Sequence, residues 1–206
     1  MDCSVDVYRA DIESLSSRYR VVIEGISSRY REISKIYSEQ TMVKLRKIEP
    51  SDLPFLYQWE NDSSAWADGA NHNPLSQQDL REYIASTTGD IYRDGQLRLI
   101  IENLSGEAGL TIGCIDLFDL DPRNRKAAIG MYIAPEFRGQ GYGKQALEQL
   151  EKYAFGHLNL RLLYAIIATN NTPCSALYRN AGYQPSSPLP SWTLESDAIL
   201  WTKSNP

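Results

Sequence analysis

Two stretches of this chain hold residue types and spacings that could do chemistry. The first is Arg138-Gly139-Gln140-Gly141-Tyr142-Gly143, which follows a strand-like run ending at Ile133 and leads into a helical pattern. A glycine-rich turn between strand and helix lets successive backbone N–H groups point at one spot, beside the positive end of the helix dipole. Such a turn suits an anion, phosphate above all. The competing reading is a tight left-handed turn needed only to reverse the chain. The spacing differs from a dinucleotide fingerprint, and no Gly-Lys-Ser/Thr follows as it would in a nucleotide-hydrolase phosphate loop. No Gly-x-Ser-x-Gly elbow is present either, which argues against Ser-His-Asp hydrolysis. The second stretch runs from Ala168 to Tyr183. Thr172 can cap a helix there, with Pro173 at an early position where its missing N–H costs nothing. Asn171, Ser175 and Tyr178 then share one helix face. The plainer reading of that face is a solvated one with an amphipathic tyrosine.

The surrounding pattern supplies elements to position both stretches. Val43 to Ile48 reads as a strand, Ser51-Asp52 as the cap of a helix through about Glu60, and Ser76 as the start of another to about Ser86. Strands follow near Leu97 to Glu102, Leu110 to Leu120 and Ala127 to Ile133, with a turn at Asp121-Pro122-Arg123-Asn124. A long helix is expected from about Gly141 to Phe155, a strand from Arg161 to Ala168, a helix from Thr172, and a last strand from Trp192 to Trp201, with room for one more near Tyr183. This order implies an α/β (α+β) domain built on one mixed, mostly antiparallel sheet flanked by helices.

The 206 residues are 42% hydrophobic and 23% charged, enough to bury a full core. Lys plus Arg is 21 against 26 for Asp plus Glu, a formal charge of −5, so no net positive field exists to hold nucleic acid or anionic lipid. No apolar run is long enough to span a membrane and the first residues lack a signal-peptide layout, from which a cytoplasmic location is expected. Three scattered cysteines without a Cys-x-x-Cys, and two histidines, argue against a disulfide framework or a metal site. Residues 1–41 differ from the rest. Ile12, Leu15, Tyr19, Val22, Ile26, Tyr30, Ile33 and Tyr37 recur at intervals of three and four, the stripe of an amphipathic helix. We read 1–41 as a helical N-terminal extension, either a docking or dimerising arm that makes a homo-oligomer or an appendage without catalytic consequence, and 42–206 as the working domain.

Taken together, the two chemical stretches resemble the GNAT acetyltransferase superfamily, whose cofactor motif Arg/Gln-x-x-Gly-x-Gly/Ala is matched by Arg138, Gly141 and Gly143. The order of elements is similar too, from about Val43 to Lys203. The Asp121-Pro122 turn, the Ile133-Ala134-Pro135-Glu136 lead-in and Asn171 to Tyr183 resemble the branch that acetylates ribosomal-protein alanines or polyamines. The resemblance implies acetyl-CoA as cosubstrate and no metal, with pyrophosphate on the amides of Arg138, Gly139, Gln140, Gly141, Tyr142, Gly143 and Lys144. Pantetheine would pair with Met131, Tyr132 and Ile133 between splayed strands, and Asn171 and Ser175 would lie along it. Tyr178 would face the sulfur. The acceptor implied is a polyamine such as spermidine or a similar small amine; the alternative is a protein N-terminus, or a non-catalytic CoA sensor.

The implied reaction is direct attack of a neutral amine on the thioester. A backbone amide near Ile133 would hold the oxyanion, a donation worth roughly 2.7 to 4 kcal/mol. Tyr178, a phenol with an ordinary pKa of about 10, can protonate a thiolate of about 8.5 at a cost of roughly 2 kcal/mol. Cys174 as a nucleophile is the rival, with no histidine near it in sequence to make thiolate. Neutralising an alkylamine at pH 7 costs roughly 4.6 kcal/mol, so a base matters, yet Ala128 stands where many relatives carry glutamate. Asp116, Asp119, Asp68 and Glu136 are the candidates to replace it or to receive the amine. Deleting residues 1–41 is expected to leave turnover intact. A truncated protein that folds and binds acetyl-CoA, yet fails on an acceptor that the full chain acetylates, would put the arm in the active site.

Overall fold

The computed structural model describes residues 42–62, 73–104, 109–193 and 195–205. The proposed arm and Asp68 lie outside them. The strands are β1 (Val43–Lys47), β2 (Leu97–Asn103), β3 (Leu110–Asp121), β4 (Lys126–Ile133), β5 (Leu162–Ala168), β6 (Gln184–Leu189) and β7 (Ala198–Ser204). The helices are α1 (Leu53–Glu60), α2 (Gln77–Ser86), α3 (Ile91–Asp94), α4 (Tyr142–Glu151) and α5 (Thr172–Asn180). The seven strands form one sheet in the order β1-β2-β3-β4-β5-β7-β6. Every neighbouring pair is antiparallel except β4 and β5.

Both faces of the sheet are covered over β1 to β4, so β2 and β3 read as nearly continuous apolar runs instead of an alternation. On one face Leu147, Leu150 and Tyr178 from α4 and α5 pack on Ile101, Ile115, Leu117 and Leu163. On the other, Leu56 and Trp59 of α1 and Leu80 and Ile84 of α2 cover Ile100 and Cys114. β1 is an edge strand, and α4 guards it: Gln145 Oε1 accepts from the Met42 amide (2.7 Å), and Gln149 donates to the Val43 carbonyl (2.7 Å). Among the described residues no helix is long and apolar enough to cross a membrane.

Several boundaries differ from those the sequence suggested. Asp52 does not cap α1 by its side chain; Pro50–Asp52 form a 3₁₀ turn instead. Its carboxylate takes both Arg46 Nη1 and Nη2 (2.8 and 2.7 Å) and the Glu49 amide (2.8 Å). Arg46 also donates to Glu102 (2.8 Å) and Thr111 (3.1 Å), so one guanidinium joins β1, β2, β3 and the entry to α1. The short α3, between an Asp90 cap and a left-handed Gly95, was not anticipated. After Glu151 the expected single helix widens into a π-helix, Lys152–His157.

The expected strand from Trp192 begins only at Ala198, because the chain turns between β6 and β7. Thr193 and Ser196 bond each other there, and the Asp197 carboxylate accepts from the Ser191 amide (2.7 Å). β6 carries Pro185 and Pro188, which fits an edge position. Arg46→Ala strands the Asp52 carboxylate, 1% exposed, without its cation. It is expected to cost roughly 3–5 kcal/mol of stability, the usual cost of breaking a buried pair. Urea denaturation checks this; a loss no larger than about 1 kcal/mol, typical of a surface pair, would refute it.

Candidate functional site

The parallel pair β4–β5 holds for only three rungs, Lys126↔Leu162, Ala127↔Leu163 and Ala128↔Tyr164. β4 continues to Ile133 and β5 to Ala168 without pairing, so the two strands part toward their C-terminal ends. The Ala134 amide bonds the Ile112 carbonyl of β3 (2.9 Å). Amides alternate sides along a strand, so Tyr132 also faces β3, while Met131 and Ile133 turn their N–H and C=O toward the gap. Tyr132 therefore offers the gap no backbone group. Its ring packs at a tilt of 36° against Trp59 (centroids 5.4 Å) and lies beneath the Arg138 guanidinium (5.5 Å). Burial first, then the Asp62 carboxylate, push its hydroxyl above the usual phenol range.

At the mouth of the gap sits the glycine-rich turn. Gly139 (φ +75°) and Gly141 (φ +86°) occupy the left-handed region that a side chain resists. The first backbone bond of α4 there runs from the Gln145 amide to the Gly141 carbonyl (3.3 Å), so the amides of Tyr142, Gly143 and Lys144 precede the helical ladder. A Cβ on Gly139 would meet nothing within 4 Å, so the turn opens to free space. At Gly143 a Cβ would stand 3.4 Å from Met131 Sδ, at the edge of ordinary contact, so a small side chain could be accommodated there. Donors, dipole and space together fit a pyrophosphate. Arg138 departs from expectation: its amide is taken by the Pro135 carbonyl (3.2 Å) and its Nε by the Ile133 carbonyl (2.8 Å), so it closes the turn instead of lining it. Gln140 bonds the Glu136 carbonyl (2.9 Å), and Lys144 is exposed beside Glu148 (3.8 Å).

Thr172 is not the cap of α5. Asn171 is, its Oδ1 accepting from the Cys174 amide (3.1 Å). Ser175 is half-buried on the same face, and Tyr178 is 2% exposed, with its ring edge-on to Tyr183 (4.9 Å). Burial, then Cys174 and Glu151, hold the Tyr178 hydroxyl well above the ordinary phenol value. A tyrosine so placed keeps its proton and can give one, but cannot serve as a resting base. Cys174 is half-buried and Cys114 buried; burial pushes the Cys114 thiol up to about 12, which keeps it inert.

Two of the carboxylates nominated as bases, Asp116 and Asp119, are already engaged. Asp116 takes a bidentate bond from Arg98 (Nε 2.9 Å, Nη2 2.8 Å), whose Nη1 also reaches Glu60 (2.5 Å). Asp119, in a left-handed conformation (φ +49°), accepts from the Tyr164 hydroxyl. Burial and this bond raise the Tyr164 pKa. Ala128 is buried between Phe118 and Tyr164, its partners on β3 and β5. Glu136 is exposed at the 3₁₀ turn before Arg138. Arg98 and Tyr164 were missed from sequence. The only signal for Arg98 was a charged residue inside the apolar run Leu97-Arg98-Leu99, and its partner appears only once β2 and β3 are in register. Among the described residues no cluster of three His, Cys, Asp or Glu side chains stands ready for a metal ion.

Residues 43–184 match the family model described as an acetyltransferase (GNAT) domain. The chain is 28% identical over 144 residues to the spermidine N(1)-acetyltransferase of Escherichia coli (strain K12), covering 68% of this chain and 72% of that one. It is 32% identical over 151 residues to the putative ribosomal N-acetyltransferase YdaF of Bacillus subtilis (strain 168), covering 68% and 77%. Its fold is similar to the crystal structure of spermidine N-acetyltransferase from Vibrio cholerae in complex with CoA and spermine, with a TM-score of 0.72 and 22% identity over 81% of this chain and 97% of that one. Gly141→Val would force a β-branched residue into φ +86° at the head of α4 and crowd the turn. Acetyl-CoA affinity is expected to fall at least about 10-fold by calorimetric titration, the equivalent of one lost charge-assisted bond. Unchanged affinity in a folded variant would remove the turn from the cofactor site.

Proposed function

The chain belongs to the GNAT acetyltransferase family and is an acetyl-CoA-dependent N-acetyltransferase, and we propose that its acceptor is a small polyamine such as spermidine. The observation that carries the site assignment is the parting of β4 and β5 beside the open turn. An internal strand edge with unpaired amides at Met131 and Ile133 suits an extended, amide-bearing arm. The amides from Gly139 to Lys144 suit the pyrophosphate of the same molecule. Names of relatives support the polyamine, and so does the acidic excess on the sheet face covered by α1 and α2.

Acetyl-CoA supplies an acetyl thioester whose carbonyl accepts an amine without an acyl-enzyme. The Ile133 amide donates to the carbonyl oxygen as negative charge grows there, worth roughly 2.7 to 4 kcal/mol for a preorganised donor. Tyr178 holds its proton on Oη and gives it to the departing sulfur. The high pKa of that hydroxyl keeps it protonated through the neutral range and also makes the transfer more uphill than for a free phenol. Asn171 fixes the start of α5 and hence the height of Tyr178 along the gap. With Asp116 clamped by Arg98 and Asp119 bonded to Tyr164, the amine loses its proton to water. Residues 42–206 make up the working domain in this reading, with 1–41 as an N-terminal extension.

The ribosomal relative favours a second reading, a protein N-terminus as acceptor. An assay of CoA thiol release across polyamines, aminoglycosides, amino acids and N-terminal peptides separates the two. Spermidine is expected to give the highest kcat/KM; a peptide that exceeds it would overturn the polyamine reading. Tyr178→Phe is expected to lower kcat by roughly 10²- to 10⁴-fold, the usual size of general acid catalysis, with little change in acetyl-CoA affinity. The loss should shrink with an activated aryl thioester, whose leaving group needs less help. Near-wild-type kcat on a confirmed acceptor would make the hydroxyl structural.

A further inference from the structure

We infer that Lys203 is a positioning residue for the proton donor: its ammonium offsets the Glu151 carboxylate behind Tyr178, so that the acid can release its proton without facing a bare negative charge. The inference rests on the assignment of Tyr178 as proton donor above and adds the residues that let it give the proton up.

Four side chains from four segments meet here. Lys203, on β7, donates from Nζ to Glu151 Oε2 at the end of α4 (2.6 Å) and to the Ala181 carbonyl just after α5 (2.8 Å). The same ammonium lies over the Tyr183 ring (5.5 Å), and that ring meets the Tyr178 ring edge-on (4.9 Å). The Tyr183 amide donates to the Tyr178 carbonyl (3.0 Å), so backbone and rings both tie the two tyrosines together. The Lys203 side chain is 24% exposed and borders a cavity of about 570 Å³ that Glu148 and Lys152 also line. Glu151 is 8% exposed and Tyr183 is fully buried. The ammonium thus meets water on one side and the core on the other.

A tie between helix and strand accounts for the salt bridge, but not for what lies behind it. Glu151 Oε1 and Tyr183 Oη are both shut from solvent, and neither has a hydrogen-bond partner among the described residues. Buried polar atoms left in this state are few in folded proteins and call for a reason beyond packing.

Charge supplies that reason. Tyr178 is faced by Cys174 from its own helix and by Glu151 from α4; burial first, then these two groups, hold its hydroxyl protonated. Burial and then Glu151 do the same for Tyr183. A carboxylate in this place opposes the phenolate that forms at Tyr178 during the reaction, and the opposition is stronger in the core than in water. As the carbon–sulfur bond breaks, its electron pair goes to sulfur, which takes the proton from Tyr178 Oη. The O–H electron pair stays on the oxygen until water returns a proton. Lys203 and Glu151 exchange no proton in this step; they set the charge that the phenolate meets.

The test measures kcat in Lys203→Met, Glu151→Gln and the variant carrying both, with spermidine as acceptor, or the peptide if that proves faster. Calorimetric acetyl-CoA binding establishes that each variant is folded. Lys203→Met keeps the aliphatic stem and is expected to lower kcat about 10-fold with acetyl-CoA, and less with an activated aryl thioester, because the carboxylate is left bare behind the acid. The loss should grow as pH rises, since burial keeps an orphaned carboxyl protonated until the solution is alkaline enough to ionise it. Glu151→Gln leaves the ammonium in place and should keep kcat at or above the wild-type value. Added to Lys203→Met, it should restore kcat to within about threefold of wild type, although the double variant lacks both the ion pair and the bond to Ala181. A purely structural tie requires the opposite, a double variant no faster than Lys203→Met, and that result would overturn the inference. So would a fall in kcat in folded Glu151→Gln, which carries the test if Lys203→Met does not fold. If Tyr178→Phe turns over at the wild-type rate, the acid assignment falls and this inference with it. If Tyr178→Phe is slow and the double variant is as slow as Lys203→Met, this inference alone falls.

Discussion

One parallel strand pair governs the architecture of the site. β4 and β5 are joined by a crossover that includes α4, as parallel neighbours require, and that crossover brings the head of α4 to the end where the strands part. Three rungs hold the pair together, and beyond them two internal strand edges face each other without bonds. Buried backbone groups without partners are costly, so such a gap persists in a folded protein where something else can complete it. In a GNAT acetyltransferase that completion is supplied by the extended amide-bearing arm of the cosubstrate. The glycine turn lies at the same end because it is the link from β4 to α4. Strand register, turn and helix dipole are therefore three consequences of one topological choice.

Two arginines organise charge beside this frame, and they do different work. Arg46 joins β1, β2, β3 and the entry to α1 through Asp52, Glu102 and Thr111, far in sequence from the gap. Its role is to hold the first strand and first helix together. Arg98 lies on the next strand, on the same face, but its partners are Glu60 and Asp116, and Asp116 in turn pairs with the bare Gly130 of β4. The same bonds that make the cluster stable weaken it as a proton acceptor, since a guanidinium that grips a carboxylate also holds it ionised.

The proposed acid shows a related tension. Tyr178 is packed among core residues and edge-on to Tyr183, which fixes its ring without help from solvent. Burial keeps its proton in place and raises the cost of giving it up. A donor in this setting works when the accepting atom arrives beside it with the negative charge already developing. That requirement ties the acid role to the cofactor gap, not to the open surface.

What is local in this protein is legible in its residues. Helix α2 can be read because Ser76 and Asp79 form a capping box, and the turn before β4 because Asp121 and Asn124 bond within three residues. The glycine turn can be read because left-handed φ values favour glycine at Gly139 and Gly141. The strand pattern, the helix after the turn and the face of Asn171, Ser175 and Tyr178 follow from periodicity, a property of neighbours. Other features depend on contacts between distant segments. Whether Asp116 is a base or a clamped carboxylate depends on Arg98, eighteen residues away and opposite only after β2 and β3 register. Whether Thr172 or Asn171 caps α5, and where the last strand begins, depends on bonds and turns that compete with equal local merit. The gap itself has no sequence signature: β4 and β5 remain good strand sequences beyond Ala128 and Tyr164. They part because of where the rest of the sheet and its helices hold them.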